Sequence, residues 1–149
     1  MQEEATIRKK NVGITKSTAK NNISLLLDTV KRINKSNNKY KYPHRIKDIV
    51  LFGSYLTDKE KLGDIDIFFN LDRRWDDLRE MEKHFAKVRP YTTFIQYLYN
   101  AQFLTLKLLR NKKPSFSFSN LDFHKEFIEE NNVNHIVLVE NFKLTNNQY

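Results

Sequence analysis

Residues 46–71 read IKDIVLFGSYLTDKEKLGDIDIFFNL, and no other stretch limits the fold as strongly. Two β-branched and aromatic runs, Asp48 to Phe52 and Asp64 to Leu71, flank Gly53-Ser54 and a polar link. Runs of this composition bounded by turn residues form buried strands. The second run carries two carboxylates, Asp64 and Asp66, inside an otherwise apolar segment. A charge in such a place must be paired or must hold a cation. Period-two alternation puts both on one face, about 7 Å apart at Cα, and turns Ile65 and Ile67 toward a core. Like charges so placed repel unless a cation lies between them. Carboxylate oxygens are hard ligands suited to Mg²⁺ or Mn²⁺, usually shared with substrate phosphates. Exposed N–H groups and the serine hydroxyl at Gly53-Ser54 form a natural phosphate cradle.

Elements on either side alternate between helix and strand. Ser17 or Thr18 is positioned to cap a helix whose apolar stripe is Ile23, Leu26, Leu27, Val30 and Ile33. A basic loop follows, with Pro43 as a breaker. Trp75, Leu78, Met81, Phe85 and Val88 recur at helical spacing and end before Pro90, and Trp75 is read as core. The acids of that helix, Asp76, Asp77, Glu80 and Glu82, are assigned mostly to its solvent face. A longer helix is expected from about Thr93 to Arg110. Ser115 to Ser119 alternates as a third strand with Phe116 and Phe118 inward. Phe123 to Glu130 reads as a short helix and His135 to Glu140 as a last strand. The first 16 residues are read as disordered, 17–45 as a helical extension and basic loop, and 46–149 as the core. The whole is expected to be a single α/β (α+β) domain with a small mixed sheet flanked by helices.

Composition narrows the functional classes. Cysteine is absent, which excludes disulfides and thiolate metal sites and accords with a reducing, cytoplasmic setting. The first residues carry acids and bases without an apolar core segment, unlike a secretory signal, and no run approaches a membrane span. The four histidines lack i,i+4 pairing, so zinc is not expected. Residues 1–50 hold 12 Lys and Arg against 4 Asp and Glu, whereas residues 51–149 hold 14 of each. The net charge of +8 therefore belongs to the first third, notably Lys35 to Arg45. Interleaved Lys, Arg, Tyr and His there can contact phosphates and stack on bases; a solvated polar loop is the alternative.

A hydrophobic strand, Gly53-Ser54, about ten residues and then Asp64-Ile65-Asp66 in a second hydrophobic strand resemble the polymerase-beta-like nucleotidyltransferases. The nearest resemblance is to the small bacterial minimal nucleotidyltransferase domains, over about Ile46 to Leu71. The resemblance implies a nucleotidyltransferase fold and transfer of a nucleoside monophosphate from an NTP, with ATP expected, to a hydroxyl of a protein, tRNA or small molecule. It implies that Gly53 and Ser54 hold the β- and γ-phosphates, and that Asp64 and Asp66 bind Mg²⁺ or Mn²⁺. Gly63 would leave room for the triphosphate, and Lys61 could touch it. It also implies a toxin–antitoxin setting, since small members of this family pair with a helical toxin.

Active members carry a third carboxylate on a later strand. Here the strand reads Ser115-Phe116-Ser117-Phe118-Ser119, with serines outward, so Asp122 just past its end, or Glu140, is the candidate. Three classes stay open: an active transferase, a catalytically impaired nucleotide-binding or antitoxin protein, and a basic nucleic-acid module with structural aspartates.

Overall fold

The computed structural model describes residues 13–86 and 99–149. Strand β1 (Ile14–Thr15) leads into helix α1 (Lys16–Lys35), followed by β2 (His44–Phe52), a 3₁₀ turn (Gly53–Leu56), β3 (Lys61–Leu62) and β4 (Ile65–Arg73). Helices α2 (Leu78–Ala86) and α3 (Asn100–Arg110) lead to β5 (Phe116–Asn120), and α4 (Leu121–Glu130), β6 (His135–Glu140) and β7 (Lys143–Leu144) complete the chain. Among the described residues, no helix is long and apolar enough to cross a membrane.

Five strands form one sheet in the order β5-β4-β2-β6-β7. All neighbours are antiparallel except β4 and β5, which are parallel. A parallel pair needs a crossover connection, and the chain between β4 and β5 contains α2 and α3. The expected mixed α/β architecture is therefore what the chain adopts.

Alternation sorts the two faces. Ile49 and Leu51 of β2 and Ile65, Ile67 and Phe69 of β4 join Ile23, Leu26, Val30 and Ile33 of α1 in the main core, with Leu109 of α3. On the other face Val50 and Phe68 pack with Ile128 of α4 in a smaller cluster. A third cluster, Trp75, Met81, Phe85 and Ala101, joins α2 to α3.

Several boundaries differ from the sequence reading. Thr15, rather than Ser17 or Thr18, caps α1: its side chain accepts the Thr18 N–H at 3.1 Å. Residues 13–16 are ordered, because β1 pairs with β3, and only residues 1–12 of the segment read as disordered lie outside the described residues. Helix α1 is not an extension, since its stripe fills the main core. Strand β2 begins at His44 rather than Asp48, with His44 and Ile46 buried. Glu82 is not on a solvent face. It is 5% exposed, and its carboxylate accepts the Ala101 N–H at 3.3 Å, capping the start of α3. The beginning of the helix expected from Thr93, and Val88 and Pro90, lie outside the described residues.

Candidate active site

The C-terminal end of β2 meets the N-terminal end of β4, so Gly53-Ser54 and Asp64-x-Asp66 come together at one end of the sheet. Register then sets a row of residues across the face that α4 covers. Ser117 of β5 stands beside Asp66, Asp66 is opposite Phe52 of β2, and Phe52 is opposite His135 of β6. The ring of Phe52, within the row, stacks on that of Phe68 at 3.7 Å between centroids, with His124 stacked 5.1 Å from Phe68. The aromatic floor fixes the strand end that bears the carboxylates.

Gly53 has φ +82°, and a Cβ built on it would lie 2.2 Å from Oδ2 of Asp66. Only a residue without a side chain lets the backbone turn so close to that carboxylate. Beyond it, the Thr57 N–H and hydroxyl both donate to the Ser54 carbonyl, at 3.1 and 2.6 Å. The Lys16 ammonium donates to the Thr57 carbonyl, tying the turn to α1. Gly63 has nothing within 4 Å of its would-be Cβ, so open space adjoins Asp64.

Asp64 is exposed and Asp66 half-buried. Burial, and then the charge of Asp64, push the Asp66 carboxyl above the usual carboxylate range. Neither carboxylate, nor the hydroxyls of Ser54 and Ser117, has a hydrogen-bond partner among the described residues. Acids and hydroxyls left unpaired by the protein at one end of the sheet suit a divalent cation.

Asp122 is not part of this group. It lies in the first turn of α4, where the Asn70 amide bridges it at 3.2 Å to Asp48 at 3.1 Å. Asn70 is four residues along β4 from Asp66, about 13 Å away. Glu140 ends β6 at the same distant end, paired in register with Lys143. Among the described residues no three His, Cys, Asp or Glu side chains could hold a metal together. Of the outward serines expected on this strand, Ser117 takes the position beside Asp66, and Ser119 stands beside Phe68. Lys61 stands exposed in β3, opposite Thr15. Sequence reading did not single out Phe52 or His135 for the row. Only the register of β2 with β4 and β6 brings them there.

A family model described as nucleotidyltransferase domain matches residues 27–145, a span that contains the whole row. The chain belongs to this family, in accord with a polymerase-beta-like nucleotidyltransferase. Family membership supports general nucleotidyl transfer with a nucleoside triphosphate as substrate. No curated protein and no solved structure gives a significant match.

Proposed function

We propose that the protein is a metal-dependent nucleotidyltransferase whose own residues bind the triphosphate well and promote transfer weakly. The observation that carries this reading is the row itself: two unpaired carboxylates beside a glycine turn, with serine where a third acid would stand. Gly53 and Ser54 face the β- and γ-phosphates, the serine through its hydroxyl, and Gly63 leaves space for the chain of phosphates. Asp64 and Asp66 would hold Mg²⁺ or Mn²⁺, with ATP the expected nucleotide. A divalent cation held there supplies charge neutralisation at the attacking and leaving oxygens.

In the transfer, an acceptor hydroxyl oxygen bonds to the α-phosphorus while the bond to the bridging oxygen breaks and pyrophosphate leaves. The hydroxyl proton passes to solvent water or to a base brought by the acceptor. Ser117 is neutral at pH 7 and poorly suited to that task, and Asp122 is too far along the sheet. The hydroxyl belongs to a protein, a tRNA or a small molecule.

A second reading has its own support. Phe123 and Phe127 lie one turn apart on α4 and are 86% and 58% exposed. An apolar pair on the helix that covers the site face suits a protein partner, as in a toxin–antitoxin pair, and the domain would then act mainly through nucleotide-dependent contact. Labelled nucleotide transfer to cellular RNA and protein fractions tests the reading. Wild type should label weakly, Ser117→Asp more strongly, and Asp66→Asn not at all. Strong wild-type transfer that survives Asp66→Asn would overturn the site assignment.

A further inference from the structure

Three cations of the basic first third, Lys31, Lys35 and Arg45, meet Lys143 around one groove. This groove, of about 670 Å³, lies between the end of α1 and the β6–β7 turn, and Lys31, Lys35, Arg45 and Lys143 line it. None of the four makes an ion pair with a carboxylate among the described residues. Lys39 and Lys41, from the same basic stretch, are used differently. The Lys39 ammonium sits 4.6 Å over the Trp75 ring and that of Lys41 5.3 Å over Tyr42.

The β6–β7 wall is held in an unfavourable backbone. Asn141 and Phe142 have φ of 48° and 72°. A two-residue hairpin of this kind favours asparagine first and glycine second. Phenylalanine in the second position is therefore strained, and strain of this sort marks functional positions. The Phe142 N–H donates to the Lys47 carbonyl at 2.8 Å, the Asn34 amide donates to the Phe142 carbonyl at 3.2 Å, and the Asn141 N–H donates to Asp48 at 3.1 Å. What this secures is a ring under the Arg45 guanidinium, 4.1 Å from its centroid. A stacked guanidinium is a pre-oriented phosphate ligand.

We propose that this groove binds a single strand of RNA through its phosphodiester backbone. Four cations on one face, none of them in an ion pair among the described residues, match a polyanion. The Asn141 side-chain amide has no partner among the described residues and is free to pair with a ribose 2′-hydroxyl, the group that separates RNA from DNA. Arg45 lies seven residues along β2 from Phe52, about 23 Å, so the groove is a place separate from Gly53 and Asp66. Binding here requires neither metal nor triphosphate and stands independently of the nucleotide site.

The test is fluorescence anisotropy of a labelled single-stranded RNA, longer than a site of about 4–16 nucleotides, with the full chain in metal-free, NTP-free buffer. Four phosphate contacts predict a log–log salt slope of roughly −3. The variant Lys31→Gln/Lys35→Gln/Arg45→Gln/Lys143→Gln should bind about tenfold or more weakly, with a slope near zero. Phe142→Gly should keep or raise the unfolding temperature, because glycine accepts this backbone, while weakening RNA binding several-fold through loss of the stacked ring. DNA of the same sequence should bind less well than RNA. Undiminished RNA binding by the quadruple variant would overturn the groove, and equal affinity for DNA or heparin would overturn the choice of RNA.

Discussion

Gly53→Ala probes the contact on which the site geometry turns. The new methyl would lie 2.2 Å from Asp66 Oδ2, too close for either atom to remain in place. The backbone term is separate: alanine at φ +82° costs about 1–2 kcal/mol. Turning Asp66 out of its rotamer adds about 0.5–1.5 kcal/mol. Reduced freedom of the unfolded chain returns about 0.4–1 kcal/mol. The net expectation is a loss of about 1–2.5 kcal/mol in urea unfolding. In an Asp66→Ala background the 2.2 Å contact is gone and only the backbone part and a milder contact with the remaining Cβ, 3.2 Å away, persist, so the cycle should show coupling of about 1 kcal/mol. Gly63→Ala is the contrast. With nothing within 4 Å and no left-handed φ, it should leave stability unchanged or slightly raised, yet weaken triphosphate binding if phosphates pass beside it. A Gly53→Ala cost that is identical with and without the Asp66 side chain would refute the proposed contact.

Two further outcomes follow from buried titratable groups. His44 is buried, its Nδ1 2.9 Å from the Thr105 hydroxyl, and burial, aided by Arg73, lowers its pKa from 6.5 to about 4. Thr105 gives its proton to the Ala101 carbonyl, so Nδ1–H of His44 is the donor, and burial favours the neutral ring. Its contribution is complete above pH 6.5 and is lost as pH falls toward 4, with about 2 kcal/mol gone at pH 5; His44→Gln should flatten stability measured across that window. Glu82→Ala removes the acceptor for the Ala101 N–H and should cost about 1–2 kcal/mol in thermal unfolding, whereas Glu82→Gln, which keeps an acceptor, should cost less.

Local pattern carried much of this fold. Hydrophobic alternation in Asp64 to Leu71 and in Ser115 to Ser119, and the helical stripe from Ile23 to Ile33, each report burial within a few residues, and each became the element expected to within one or two residues at its ends. The beginning of β2 was missed because Pro43 and the surrounding cations resemble a loop, although His44 and Ile46 alternate inward with Arg45 and Lys47 outward. The ribbon of β1 with β3 joins Ile14 to Leu62 through two-residue strands, too short to carry a period. Glu82 looked like a solvent-face acid because its partner, Ala101, belongs to the next helix. At the site, glycine, serine and the two aspartates were legible as a local motif. The displacement of Asp122 was not, since it depends on Asn70 holding it at the far end of the sheet.

Binding of a non-hydrolysable nucleoside triphosphate, measured by calorimetry with and without Mg²⁺, reports whether Asp64 and Asp66 form a metal-dependent phosphate site. Wild type should bind only when the metal is present, because the unpaired Asp64 and Asp66 need a cation before they can face phosphate oxygens. Asp64→Asn/Asp66→Asn should lose this binding while remaining folded and at least as stable, since burial and the neighbouring charge both penalise the ionised Asp66. Metal-independent binding that persists undiminished in the double variant would contradict the account.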